Sequence, residues 1–430
     1  MIRVLHLAAH AGGGVGKALS GLAVESAAVC PEIAHSFVFF EPQGKPQFLE
    51  RITGCGCEVF ISPLPSLLKR LVEEADIVQL EFWNHPLTLQ ALCREVLPAM
   101  RLLVWCHISG LYNPIVPPAL FAAAERFLFT SPCSYESEQV TQMSTDLRGR
   151  IAVVSSCGGF DGLPWPVEND GELAIGYLGS LNFAKLHPRY VDYLAAVDKP
   201  GLTVRLIGDL TNREILERQS ALVDREGMFE FRSYCTDIAA ELKAINVLAY
   251  LLNPEHYGTT ENALLEAMAV GIVPIVLDNP AERQIIEDHR TGLIVNTPRE
   301  FAEAVIWLFQ NPAERRKIGS QAAETVRSRF AVSKMVAALN SHYMELMSAN
   351  KRDISFAGIF GTEPADWFLS CQGDQTYFSP TGTARPDLKS FSIYALLEET
   401  KGTVFHFQKN FPDDIRLKQW ANELISQKSS

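Results

Sequence analysis

Residues Leu252–Gly271 read L-N-P-E-H-Y-G-T-T-E-N-A-L-L-E-A-M-A-V-G. Pro254 and Gly258 keep the first part irregular. Ala263, Leu264, Ala267 and Met268 then recur at helical spacing and make an apolar face. Thr259 or Thr260 is a good N-cap for that helix. Val273-Pro274-Ile275-Val276 follows as a strand. Glu261 and Glu266 stand about 500° apart around the axis, so they point different ways. Glu266 lies between Leu265 and Ala267, and a half-buried carboxylate needs a partner. Free N–H groups at the helix start, with a carboxylate further in, suit a phosphate joined to a hydroxylated group such as ribose. A surface glutamate on an amphipathic helix is the alternative.

Outward from this stretch, short apolar runs alternate with helical patterns along most of the chain. Ile2–Ala8, Ser36–Phe40, Val59–Ser62, Ile77–Leu80, Leu102–His107, Arg126–Thr130 and Ile151–Val154 read as strands in the first half. Ala174–Tyr177, Thr203–Ile207, Phe229–Phe231, Val247–Tyr250, Val273–Val276 and Gly292–Val295 do so in the second. Such alternation predicts parallel sheets covered on both faces, an α/β chain of two doubly wound halves with a cleft between them. The Gly-, Pro- and acid-rich stretch Gly158–Glu172 is the linker candidate. The organisation expected is therefore 1–170, 171–335, and a helical return with an aromatic-rich extension over 336–430.

The bulk properties exclude several classes. The chain has 430 residues, 47% hydrophobic and 20% charged, as in a soluble globular protein of about two domains. A formal charge of −12 argues against nucleic acid as the main partner. Nine cysteines without a CxxC pair read as reduced thiols, and Cys55 and Cys57 lack the companions of a zinc site. The start MIRVLHLAAHAGGG reads as a strand, not a signal peptide, and no apolar run approaches the about 20 residues that span a bilayer. A cytoplasmic location follows, at most peripheral to a membrane.

The loop His10–Lys17 follows a strand and opens a helix expected from about Lys17 to Val29. Gly14, Val15 and Gly16 present backbone N–H groups there that favour an anion. A P-loop would need Gly at 11 and Ser or Thr at 18, and both are Ala; the third glycine of GxGxxG falls on Lys17. The loop reads equally well as a tight strand–helix turn.

Pro254–Gly271 with Val273–Val276 resembles the signature of retaining glycosyltransferases of the GT-B fold, family 4, which runs P-S-x-x-E-G-F-G-L-x-x-L-E-A-M-A-x-G-x-P-V. The match lies in Pro254, Leu265–Ala269, Gly271 and Pro274. The resemblance implies that Glu266 binds the nucleotide ribose. The family's first glutamate, which contacts the donor sugar, is Gly258 here, and Glu261 is the expected substitute. Ile175–Lys185 resembles the family's G-R-L-x-x-x-K-G. That implies Lys185 on the diphosphate, with Ser180 where the arginine stands and Gly179 approaching the donor. Gly208 and Asp209 fall at the turn under the donor, and Tyr234 where the base is read. Thr260, Asn262 and Ala263 supply the helix start for the phosphates. Arg290–Val295 resembles the family's x-T-G-x-L-V strand.

In the first half the resemblance is looser; a family histidine in this region contacts the donor sugar, which implies that role for His107 at a strand end and makes His107, Glu261 and Lys185 the catalytic set. Glu81, Trp83, Asn84 and His85, polar groups beside an aromatic, suit a sugar acceptor. The implied function is transfer of a hexose from a UDP- or GDP-sugar to a glycan, a small acceptor or a lipid-linked one, with retention. The nucleotide-sugar is a substrate, and neither a cofactor nor a metal is implied. The rival readings are a non-catalytic GT-B nucleotide-sugar-binding or partner protein, motivated by Gly258 and Ser180, and a sugar-nucleotide epimerase. The extension after residue 350 would shape the acceptor site, dock on the first domain, or form an oligomer contact.

Overall fold

The computed structural model describes residues 1–42, 46–166, 172–233, 237–378, 391 and 393–428. It divides into two compact units. One comprises Met1–Gly159, Tyr257–Thr260 and Val332–Ser430; the other comprises Phe160–His256 and Glu261–Ala331. The helical return and extension, expected as a separate segment over 336–430, belong to the first unit.

The first unit holds β1 (Ile2–Ala8), β2 (Ile33–Phe39), β3 (Glu58–Ile61), β4 (Ile77–Phe82), β5 (Leu102–Cys106), β6 (Arg126–Phe129) and β7 (Ile151–Val153). They form a parallel sheet in the order β3-β2-β1-β4-β5-β6-β7. The second holds β8 (Ile175–Gly179), β9 (Val204–Gly208), β10 (Phe229–Arg232), β11 (Val247–Tyr250), β12 (Val273–Leu277) and β13 (Leu293–Val295). Its parallel order is β10-β9-β8-β11-β12-β13. Both sheets are doubly wound. Strand order reverses between β1 and β4 and between β8 and β11, and ligands of such sheets bind beyond the carboxyl ends at that point. Every residue of β4, β5 and β12 is buried, as strands under two layers of helices are, and in β4 the buried residues include Gln79 and Glu81.

Helix Gly13–Val29 begins inside the glycine run, four residues before the expected start. Gly13 sits at φ 59°. A Cβ on Gly16 would lie 2.2 Å from the Ala11 carbonyl oxygen, so this turn requires glycine. Three helices follow β13, at Pro298–Gln310, Pro312–Arg329 and Val332–Leu346. The last returns to the first unit, where Met335, Val336, Leu339 and Tyr343 share a core with Val4, Leu19 and Trp105. On the other face of that sheet, Trp367, Phe368, Phe407 and Trp420 of the extension share a core with Leu80, Phe82 and Leu89. The aromatic extension therefore docks on its own first unit. No helix among the described residues is long and apolar enough to cross a membrane.

Candidate active site

In the second unit the site grows from the ends of β8, β9 and β11. Gly179 and Gly208 pair in register, at φ 149° and 157°. A Cβ on Gly208 would fall 1.9 Å from the Gly179 oxygen, so only glycine lets these strand ends run together. Ser180 follows and donates its hydroxyl to the Asp209 carboxylate. That carboxylate also accepts from the backbone of Leu181 at 3.3 Å and Thr211 at 3.0 Å. Ser180, expected to face a diphosphate, is thus held by Asp209, while Asn182 donates to its oxygen at 2.5 Å. Tyr234 lies outside the described residues.

Lys185 is fixed by its own backbone, whose carbonyl accepts from Asn253 N–H at 2.8 Å. Its ammonium donates to both carboxylate oxygens of Glu261 at 2.7 Å. Tyr250 at the end of β11 donates to the same carboxylate at 2.6 Å. The Glu261 side chain is 2% exposed. Burial pushes its carboxyl up, but Lys185, His256 and Tyr250 outweigh this and hold it below the usual range. Burial first, then Glu261, pushes the Tyr250 phenol well above its ordinary value. The carboxylate expected to reach a sugar is instead the counter-charge of the lysine.

Glu261 also occupies the cap of helix Asn262–Ala269, in the left-handed region at φ 49° and ψ 60°. The family pattern has glycine there, and the backbone explains why. The expected caps are used elsewhere. Thr130 donates its hydroxyl to that of Thr259 at 2.6 Å. Thr260 donates to the Thr130 carbonyl at 3.2 Å and accepts from the Ser156 hydroxyl at 3.1 Å. The helix therefore starts at Asn262 and Ala263, with Glu266 half-buried on its second turn.

His256 was missed by sequence reasoning. Its Nε2 lies 3.2 Å from Glu282 and its Nδ1 3.8 Å from Glu261. These three side chains are buried and close enough together to hold a metal ion. Lys185 already supplies a cation to Glu261, which lowers the need for one.

In the first unit, Glu81 is not on an acceptor-facing surface. Its fully buried carboxylate takes hydrogen bonds from His6 Nδ1 at 2.9 Å, Gln79 at 2.8 Å and His107 Nε2 at 2.8 Å. His6 reaches His35 at 2.9 Å, and Tyr343 donates to Gln79 at 2.6 Å. Burial raises the Glu81 carboxyl, but the hydrogen bonds from His107 and His6 win and hold it below its ordinary value. His107, beyond β5, is therefore aimed by a buried carboxylate, which leaves its Nδ1 as the other ring atom. Asn84 is also buried and donates to Gly402 O at 3.0 Å.

A third group stands where β1, β2 and β4 end. His10, Glu41, Trp83 and His85 meet Lys401 and His406 of the extension. His85 lies 3.3 Å from Glu41, and the Trp83 and His85 rings are 4.7 Å apart. Trp83 lies parallel to His406 at 6.5 Å, and Lys401 lies over its ring at 5.7 Å. The His85 contact, against some burial, holds the Glu41 carboxyl down at about 2. Trp83 and His85 were legible as candidates from the sequence; Lys401 and His406 carry no local signal that would bring them here.

Residues 166–325 match the family model described as glycosyl transferases group 1. No curated protein matches the chain. Among solved structures it is similar to the Anabaena protein HepE in complex with UDP-glucose, at 15% identity and TM-score 0.63 over 80% of this chain and 100% of that one. It is also similar to sucrose-phosphate synthase from Thermosynechococcus elongatus, at 17% identity and TM-score 0.61 over 81% and 100%. The lipopolysaccharide outer core galactosyltransferase WaaB matches at 17% identity and TM-score 0.60 over 80% and 100%. The two doubly wound units are those of the GT-B glycosyltransferase fold.

Proposed function

We propose that this protein is a glycosyltransferase that moves a hexose from a nucleotide-sugar, UDP- or GDP-linked, to a hydroxylated acceptor with retention of configuration. The observation that carries this reading is Lys185, beside the Gly179–Gly208 strand ends and next to the helix bearing Glu266. All of these lie within the segment 166–325 that matches the glycosyltransferase model.

In this reading Glu266 accepts from the ribose hydroxyls. The Lys185 ammonium and the N–H groups of Asn262 and Ala263 meet the diphosphate. They stabilise the charge that develops on the leaving phosphate as the glycosidic bond breaks. His107, aimed by Glu81, contacts the donor sugar. Glu261 acts through Lys185, as a positioning residue. Protein donors take the place of a metal, and the reaction occurs in the cytoplasm, at most at a membrane face.

Binding of UDP-, GDP- and dTDP-sugars, followed by thermal shift, tests the reading. One of them should raise the melting temperature, and Glu266→Ala should weaken nucleoside diphosphate by about tenfold or more while leaving pyrophosphate affinity unchanged. No response to any donor sinks it. A non-catalytic nucleotide-sugar-binding protein is the second reading. It is favoured by Gly258 at the usual carboxylate position and by the commitment of Glu261 to Lys185. Slow hydrolysis of the bound donor would exclude it.

A further inference from the structure

The cluster beyond β1, β2 and β4 has a surplus of hydrogen-bond donors. Three imidazoles there each accept a backbone N–H at Nδ1. Gly12 donates to His10 at 3.0 Å, Leu87 to His85 at 3.2 Å and Gly402 to His406 at 3.1 Å. Each ring is neutral near pH 7. Burial leads in lowering all three, His10 to about 4 and His406 to about 3. A neutral imidazole has one acceptor nitrogen, so His85 and His406 carry their protons on Nε2.

Those two Nε2 atoms therefore present N–H donors. His85 Nε2 is buried and lies 3.3 Å from a Glu41 carboxylate oxygen, outside hydrogen-bond geometry. His10 is met by two donors, Gly12 N–H at Nδ1 and the Lys401 ammonium at Nε2, 2.7 Å away, and its one acceptor nitrogen serves only one of them. No carboxylate among the described residues lies within ion-pair distance of Lys401. The Lys401 ammonium carries three N–H donors, more than this one contact satisfies. The rings stand close: His10 and His85 at 6.0 Å, His85 and His406 at 5.0 Å, with Trp83 beside all three. The extension is anchored to present its share, through the buried Asn84 bond to Gly402 O and the left-handed Gly402 at φ 81°.

We propose that His10, Trp83, His85, Lys401 and His406 form a subsite for a sugar bearing an oxyanion, a carboxylate or a phosphate, and that this is the acceptor of the transfer. An oxyanion supplies the acceptor atoms that the Lys401 ammonium lacks, and the Trp83 ring offers an apolar surface to the sugar ring. The acceptor role rests on the transferase reading; the anion site does not. The extension then belongs to substrate recognition, and its removal would remove the selectivity.

Affinity of the full chain for methyl α-glucuronide, glucose 6-phosphate and methyl α-glucoside, followed by ligand-observed NMR, tests this. At least one charged sugar is expected to bind about tenfold more tightly than the neutral one. Comparison of the two charged sugars distinguishes carboxylate from phosphate. Lys401→Met should abolish the preference, and Lys401→Arg should restore most of it. Equal affinity for charged and neutral sugars, or a preference untouched by Lys401→Met, overturns the proposal. UDP- and GDP-sugar binding is measured on the same samples. Lost donor binding with a retained anion preference overturns the transferase reading and the acceptor role, and leaves the anion site standing. Retained donor binding without the preference overturns the subsite alone.

Discussion

The Lys185 ammonium lies 2.7 Å from each carboxylate oxygen of Glu261, seventy-six residues further along the chain. Glu261 is buried and its backbone is left-handed, so this pair is made by an arrangement that costs energy elsewhere. Removal of the carboxylate leaves a largely enclosed cation. Glu261→Ala is expected to destabilise the protein by about 3 kcal/mol in urea unfolding. Glu261→Gly loses the same pair but relieves the backbone, and should be about 1 kcal/mol more stable than the alanine variant. Equal losses in the two variants would argue against strain at this position.

If Lys185 stabilises the leaving diphosphate, its loss acts on the transition state. Lys185→Ala should lower kcat about 100-fold, with a smaller change in KM for the donor. Addition of a chelator to the wild type should leave turnover unchanged. A chelator-sensitive rate would instead point to a cation among His256, Glu261 and Glu282.

Glu81 tests the role of His107. Glu81→Gln keeps the shape but removes the charge between His6 and His107. The tautomer ratio of His107, read by nitrogen-15 NMR, should shift, and kcat should fall while donor affinity holds. The folded Glu81 carboxyl titrates below its ordinary value. Its contribution to stability is therefore complete above pH 4.5, and fades as pH falls through the folded value. Urea unfolding of Glu81→Gln should lose part of that acid dependence.

The strand-end imidazoles set a second acid limit. His10 falls from 6.5 to about 4 in the folded protein, chiefly by burial and then by Lys401. His406 falls to about 3, by burial and then by His85. Between 6.5 and those values the unfolded chain holds more protons than the folded one, so stability drops as pH falls. The unfolding midpoint should decline across this window, and His406→Asn should flatten the decline. A variant slope equal to that of the wild type would contradict the burial of that ring.

The residues themselves determined the elements. Apolar runs of strand length, separated by helical patterns, foretold all thirteen strands among the described residues, because both are local properties of the chain. The glycines at 16 and 208 were expected beside an anion or the donor; in the structure a Cβ on either would strike backbone, at Ala11 and Gly179. Glu266 was placed on its helix by spacing alone.

Tertiary structure decided the partners. Ser180 and Glu261 were expected to face a donor, yet Asp209 and Lys185 take them. Glu81 was expected at an acceptor, yet it lies buried between His6 and His107. The threonines suited to cap a helix bond to Thr130 and Ser156 instead. Lys401 meets His10 across 391 residues of sequence. A side chain's type and spacing fix what it can bond to. Strand register, burial and the docking of the extension fix which distant group it meets, and no periodicity along the chain encodes that choice.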